Sequence, residues 1–549
     1  MSAEPVTRRA VRPGAYYDSV VLMQLQRALG GLPGVLDAGV MMATPANLEL
    51  LAASGLTADD ETAAGPHDLV IAVKAESAAA AGEALARVDS LLQVRRTGGE
   101  QGFRPRSLAS ALKLLPEARW VLISVPGRHA AGVADEALDR GRNIFLYSDN
   151  VPLADEAALK RKALARGLLV MGPDCGTAVV GGIGMGFANR VRRGPIGLVG
   201  ASGTGLQAVM SHLHALGSGV SQAIGTGGRD LAGEVGGITA RQGLDLLGRD
   251  PETRAIVLIS KPPAPAVASR LLAAARATGK PVVVYFLGFA TPLRRLGGLR
   301  FAASLREAAE LAAGLSEKDC KDCRDDKDSK KDDKEERGVL RGLFSGGTLA
   351  YEARLGLETF LGPLGEGHAI LDLGDDEFTV GRLHPMIDQD LRLRRLRQET
   401  ADPAVWMILL DVVLGDGAHA DPAGELAPAI ERALGERGGS LEIVALVVGT
   451  EEDPQNLSEQ IATLSRAGAR VCRTVDEMVE LAWRRFGIES EDSPQVSLET
   501  IEGPPAVINV GLESFYDSLV AQGAKAVQVE WKPPAGGNEK LASILARLK

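Results

Sequence analysis

The chain has 549 residues, 45% of them hydrophobic, and a formal net charge of −10. Roughly three to four domains with separate cores fit that length. The acidic balance, the 4% aromatic content and the lack of a basic stripe interleaved with aromatics argue against a nucleic-acid surface. No apolar run approaches the about 20 residues that span a bilayer, and Met1–Gly14 has no signal-type apolar core, so no membrane is expected and a cytoplasmic protein is. Cys175, Cys320, Cys323 and Cys472 are too few and too scattered for a disulfide framework.

In chain order, the first part reads as a strand into Tyr16, a helix from Asp18 to about Leu29, strands over 35–42 and 68–74, and a helix over 77–92. This is a small α+β domain, given the bounds 1–103. Residues 104–190 follow as strand 120–125, helix 129–139, strand 143–147, helix 155–166 and strand 168–171, an alternation that predicts parallel sheet with sites at carboxyl ends of strands. Residues 191–315 repeat that logic, with strands 196–199, 220–224, 255–259 and 282–286 around helices 206–216, 238–247 and 264–278.

The segment Ser316–Arg337 contains no aliphatic residue and is expected to be a solvated linker. Its Cys320 and Cys323 have metal-like spacing without a second pair nearby, leaving two exposed thiols or a zinc pair as readings. After it, 338–490 reads as strands 338–344, 369–373, 406–412, 443–448 and 470–471 with helices at 348–357, near 389–399, and at 423–434 and 456–467. The final unit, 491–549, has strands 506–510 and 526–530 and helices 514–521 and 538–547. The fold class is thus multidomain α/β, with the two sides of the linker looking like distant repeats.

Two stretches carry the chemistry. In GLVGASGTG (Gly197–Gly205) a buried strand runs into small residues and hydroxyls that open a helix, and VLRGLFSGGTL (Val339–Leu349) repeats the design. Bare amides at a helix start, backed by the helix dipole, hold an anion without needing a lysine. The expected phosphate-binding residues are Ser202, Gly203 and Thr204 on one side and Ser345, Gly346 and Thr348 on the other, two jaws on one phosphate or small acyl phosphate. Arg229 and Lys261, at strand ends, are candidates to neutralise a carboxylate or phosphate.

The order MGPDCG (171–176), IGLVGASGT (196–204), IGTGGRD (224–230) and DPETRAIVLI (250–259) resembles the α subunit of ADP-forming succinyl-CoA synthetase. LDLGD (371–375) and LLDVVLG (409–415) resemble the carboxyl-terminal domain of its β subunit. ISKPPAP (259–265), GDDEFTVG (374–381) and WKPPAGG (531–537) resemble most the acyl-CoA synthetase-like family called FdrA. The resemblance implies a Rossmann-like CoA-binding-type domain at 104–190 and two flavodoxin-like ligase-type domains at 191–315 and 338–490. CoA or a nucleotide is then the implied cofactor, while the amino-terminal part of the family's CoA-binding domain, with its glycine-rich first turn, is replaced here by the unrelated unit at residues 10–95.

The family's phosphohistidine segment corresponds here to TPLRRLGGLRFAA (291–303), which has no histidine, and its orienting acid is replaced by SKPP (260–263). A phosphohistidine relay is therefore not expected. His384, beyond the acidic loop Asp375-Asp376-Glu377, and His419, after the strand 406–412, are candidate acids, bases or substrate ligands. The acidic loop reads either as a solvated turn or as a magnesium site. His212 and His214, within a helix, read as structural, and Cys175 as a packing residue.

The FdrA resemblance implies two activities. One is a subunit of an oxamate carbamoyltransferase of allantoin breakdown, converting oxalurate and phosphate to oxamate and carbamoyl phosphate, which suits an anion cage without a shuttle histidine. The other is an ADP-forming acyl-CoA ligase. Both imply a hetero-oligomer with partner subunits, and a non-catalytic scaffold that binds a phosphorylated ligand is a third reading.

Overall fold

The computed structural model describes residues 5–13, 19–57, 64–66, 68–93, 104–289, 291–316, 338–365, 367–488 and 494–532. Cys320, Cys323 and the helix expected over 538–547 lie outside the described residues. The chain divides into two compact units, one of residues 1–118, 506–521 and 525–549, the other of residues 119–505 and 522–524.

In the first unit the strands Val6–Arg12, Leu69–Ala75 and Val35–Met42 form an antiparallel sheet with Leu69–Ala75 in the middle. From Leu69 to Val73 the middle strand is an unbroken apolar run because both of its faces are covered, and the partly exposed Lys74 follows. Leu69, Ile71 and Val73 pack with Leu25, Leu29 and Val88, while Val70 and Ala72 pack with Leu51 and Leu56. Leu51 comes from the helix Pro45–Ala53, which the Thr44 hydroxyl caps by accepting from the Asn47 amide. The single helix expected over 77–92 is two, Ala78–Ala86 and Val88–Gln93. The strands Ala506–Val510 and Lys525–Val529 pair in parallel within the same unit.

The second unit contains the parallel strands Trp120–Ile123, Asn143–Leu146 and Val170–Met171. The helices Gly127–Asp139 and Leu153–Ala165 are their crossovers. It also contains two larger sheets with one strand order. The strands Arg193–Gly200, Val220–Gly225, Ala255–Ser260, Val282–Phe286 and Leu299–Phe301 lie side by side as second, first, third, fourth and fifth. Val339–Phe344, Ala369–Asp372, Val405–Val413, Glu442–Val448 and Arg470–Cys472 do the same. That is flavodoxin-like order, as expected for both ligase-type halves, and it places a crevice at the carboxyl ends of first and third strands, where the winding reverses.

Two additions extend the first of these sheets. The strands Thr177–Val180 and Ile183–Gly186 form a hairpin that pairs antiparallel with Val220–Gly225, so residues before 191 share the sheet of residues after it. Its two-residue turn is Gly181-Gly182, both with positive φ, and a Cβ on Gly181 would overlap the Gly503 carbonyl. At the other edge, Arg295–Leu296 folds back on Leu299–Phe301, so the histidine-free segment 291–303 is an edge hairpin anchored by the buried Leu293.

The two halves pack through helix Pro265–Ala277 and the later turns of helix Gly347–Leu361. Ser269 Oγ donates to the Phe360 carbonyl at 2.5 Å, the Thr291 and Thr359 hydroxyls are 2.9 Å apart, and the Arg276 guanidinium lies 5.0 Å from the Trp483 ring centre.

Candidate functional site

In the first half, the Ala201 amide donates to the Ile259 carbonyl at 3.0 Å and closes the first strand onto the third. The chain then turns at Ser202, whose extended backbone caps helix Gly203–Ala215 and whose Oγ accepts from the Gly205 amide at 3.1 Å. Among the described residues nothing accepts from the amides of Gly203 and Thr204, so the positive end of the helix dipole opens there. A Cβ on Gly203 would stand 3.5 Å from Thr177 Oγ1, which places the Gly176-Thr177 backbone beside the turn. Thr204 is exposed, and so is Lys261, one residue past the third strand.

Arg229 is engaged with the protein. Its guanidinium donates to the Val151 carbonyl at 2.7 Å and lies 2.9 Å from the Glu156 carboxylate. Beneath it is a charge cluster that the motifs did not reveal: Lys160, Glu156 and Asp230 are all fully buried. Lys160 Nζ donates to Glu156 at 3.0 Å, to Asp230 at 2.7 Å and to the Thr226 carbonyl at 2.9 Å. Asp230 also accepts from the amides of Thr239 and Ala240, in the first turn of helix Ile238–Arg249. The cluster therefore fixes the glycine-rich loop 224–230 between two helices. The i, i+4 spacing of Glu156 and Lys160 was visible in the sequence, but such pairs usually sit on a solvated face.

The second helix start is built differently. Asp411, buried in the strand Val405–Val413, accepts from the Ser345 amide at 2.7 Å, the Ser345 hydroxyl at 3.0 Å and the Gly346 amide at 2.8 Å. Arg392, also buried, donates to its carboxylate at 2.7 Å and to its carbonyl at 2.6 Å. Burial pushes the Arg392 guanidinium below its ordinary value, and Asp411 opposes that shift. Two of the donors read as phosphate ligands, those of Ser345 and Gly346, thus face an internal carboxylate. Gly347 and Thr348 are exposed in the first turn that follows. At Gly347 a Cβ would run into the Asp372 carboxylate, so a larger residue there requires that side chain to move.

No hydrogen bond or ion pair among the described residues joins the two starts. The halves meet at Phe360, and the amino end of that helix is about 20 Å further along its axis at 1.5 Å per residue. Each start has its own surroundings.

The two loop histidines do belong to one neighbourhood, since the His419 amide donates to the Met386 carbonyl at 2.8 Å. His384 Nδ1 accepts from the Met386 amide, and its Nε2 side lies against Gly374, where a Cβ would be 2.8 Å from it and 2.6 Å from the Ser345 carbonyl. His384 is therefore beside the second helix start and half-buried. His419 is tied into a helix start: Nδ1 accepts from the Asp421 amide and Nε2 lies 2.7 Å from Glu425.

Asp421 caps helix Pro422–Arg437. The Gln460 side chain and the Gly424 amide hold its carboxyl below the usual range. A depressed carboxylate stabilises the fold above its unfolded pKa of about 4 and loses that effect as the pH falls through the lower folded value. Asp421→Ala is expected to cost about 1 kcal/mol at neutral pH. The gap from wild type should close in denaturant melts run in acid, and a constant gap from neutral to acid would contradict this cap.

Other candidates resolve into structure. Burial pushes the Cys175 thiol to about 12, so it is an inert packing group. His214 Nδ1 accepts from the Arg192 amide. Asp375 accepts from the Glu377 amide, and among the described residues no three His, Cys, Asp or Glu side chains converge on a metal position. No helix among the described residues is long and apolar enough to cross a membrane.

Comparisons with known proteins place these features. A CoA-binding domain model matches residues 191–288 and a CoA-ligase model matches residues 343–484. A model described as the heavy metal-associated domain of AllF matches residues 5–106. The uncharacterized protein YahF of Escherichia coli is 40% identical over 486 residues, covering 83% of this chain and 94% of YahF. The chain belongs to the FdrA family. Within the wider ADP-forming acyl-CoA synthetase superfamily, the α subunit of succinate–CoA ligase of Aquifex aeolicus is 31% identical over 187 residues, 33% of this chain, and the chain spans 60% of that subunit's length. Among solved structures, the dinucleotide-forming acetyl-coenzyme A synthetase 1 of Ca. Korarchaeum cryptofilum is 16% identical and covers 68% of the chain and 83% of its own, with a TM-score of 0.31. In this FdrA-family chain the CoA-binding match spans the Ser202 start, and the CoA-ligase match spans Ser345, Asp411, His384 and His419.

Proposed function

We propose that the chain works as a subunit in acyl-CoA ligase chemistry, holding the phosphate of an acyl phosphate or of CoA at the Ser202–Gly205 helix start. The observation that carries this reading is the pair of unengaged amides of Gly203 and Thr204 at the crevice of a sheet that the CoA-binding model matches. Ser202 shapes the turn, and its hydroxyl is committed to the Gly205 amide. The exposed Lys261 supplies a cation just past the carboxyl end of the third strand, while Arg229 supports the loop beneath. At the second start Asp411 fixes Ser345 and Gly346, so Thr348 and His384 are the groups there that can reach a ligand. CoA, if bound, supplies the thiol that accepts the acyl group, and nucleotide is handled by a partner subunit.

A second reading, carbamoyl transfer between oxalurate and phosphate in an oxamate carbamoyltransferase, is favoured by one observation. The segment 291–303 has no histidine and is folded as an edge hairpin, so this chain has no phosphohistidine relay there to carry a phosphoryl group between sites. Phosphate would then be the substrate itself at the same helix start.

The test uses the full chain with its copurifying partners. Thioester formation from ATP, succinate and CoA supports the ligase, and carbamoyl phosphate formation from oxalurate and phosphate supports the transferase. A phosphate-induced rise in Tm without either product leaves a binding subunit. Gly203→Leu has room beside Thr177 but covers the amides, so it is expected to lower the productive reaction by about a hundredfold or more and to abolish the Tm shift. Unchanged turnover in a folded Gly203→Leu variant would sink the site.

A further inference from the structure

The match of residues 5–106 to a heavy metal-associated domain implies a soft metal ion, and the donor set can be tested against that. Soft divalent and monovalent metals are held by thiolates, imidazoles and thioethers converging on one point. Residues 5–106 contain no cysteine, one histidine, His67, and three methionines, Met23, Met41 and Met42. Met41 and Met42 are successive residues of the strand Val35–Met42 and point to opposite faces of the sheet. Met42 packs into the cluster of Leu25, Leu29 and Ile71, whereas Met41 packs into the cluster of Leu51, Leu56 and Val70. Met23 is mostly exposed on the helix Ser19–Gly30. Among the described residues the three methionines therefore never meet, and with no cysteine and a single histidine beside them this donor set does not fit a soft metal.

We propose that this domain is a metal-free version of the heavy metal-associated fold, its stability coming from apolar packing on both faces of its sheet. The second face supports this: the helix Pro45–Ala53 and Leu56 cover Val70 and Ala72, so the sheet needs no ligand to close it. Metal binding by this protein, where found, belongs to other residues, and the chain's one closely spaced cysteine pair, Cys320 and Cys323, has to be separated in the experiment.

The full chain and its Cys320→Ser/Cys323→Ser variant are purified, equilibrated with Zn(II) or with Cu(I) under reducing conditions, desalted and assayed for bound metal and for Tm. The expected result is that the variant retains no stoichiometric metal and that neither metal nor chelator moves its Tm. Metal retained by wild type and lost in the variant gives the same support, since it assigns the ion to the cysteine pair. One equivalent retained by the variant, and lost on adding His67→Ala or Met23→Ala, would overturn the proposal.

Discussion

Asp411→Ala is expected to destabilise the second half by about 3–5 kcal/mol, because it leaves the Arg392 charge buried without its partner. The same change removes the acceptor for the Ser345 and Gly346 amides, each a further cost where water cannot replace it. A chain of several domains does not melt in a single two-state step, so the readout is the loss or downward shift of one resolved transition in calorimetry while the others stay in place. A second variant separates charge from hydrogen bonding. Arg392→Met with Asp411→Leu removes both ions, and the charge penalty disappears, but the Ser345 and Gly346 amides remain unmatched. The double variant should therefore recover only part of the loss. Full recovery would mean that the carboxylate does not organise the helix start, and an unchanged transition in Asp411→Ala would mean that the pair is not buried in solution.

The same residue shows what was legible in the sequence and what was not. Strands and helices with clear period are legible to within a few residues, as with the strands 35–42 and 506–510, and parallel sheet follows from their alternation, whereas the flavodoxin-like order is implied by the family resemblance. A single Asp within the run Met407–Val413 was a signal of a buried charge with a partner, since such a run otherwise excludes ions. Its partner, Arg392, is set by tertiary packing of a different helix and has no local signature. The helix starts were found because small residues after an apolar strand have one common use. Whether their amides are open depends on what folds back over them, and that differs between Gly203, beside Gly176 and Thr177, and Ser345, which meets Asp411.

Local signals are clear at one helix and absent at two hairpins. Helix Val475–Phe486 starts on Thr474, which accepts from the Glu477 amide, and its buried Val475, Met478, Val479, Ala482, Trp483 and Phe486 follow helical spacing. The hairpins at 177–186 and 295–301 have strands of two to four residues, too short for periodicity to register. Those hairpins matter for the site. One places Thr177 beside Gly203, and the other occupies the segment where a relay histidine would stand.

Lys160→Met tests how the first crevice is held. The ammonium bridges two carboxylates that are both fully buried, so its loss leaves Glu156 and Asp230 facing each other, with Arg229 the only other cation paired with Glu156 among the described residues. The expected cost is about 3–5 kcal/mol, the range for breaking a buried pair from one side. The effect should extend beyond stability, because Lys160 also holds the Thr226 carbonyl and Asp230 holds the start of helix Ile238–Arg249. Thr226 in turn donates its amide to the Gly200 carbonyl, two residues before the cap Ser202. Loosening the cluster should therefore weaken phosphate or CoA binding at Gly203 without touching a group that contacts it. The measurement is a melt combined with ligand-induced Tm shifts under conditions where the variant stays folded. Lys160→Arg keeps the charge but carries a larger planar head into a packed site, and it should restore stability only in part. If Lys160→Met melted like wild type and bound phosphate equally well, the glycine loop would be held by backbone packing alone, and the charge cluster would have no part in shaping the crevice.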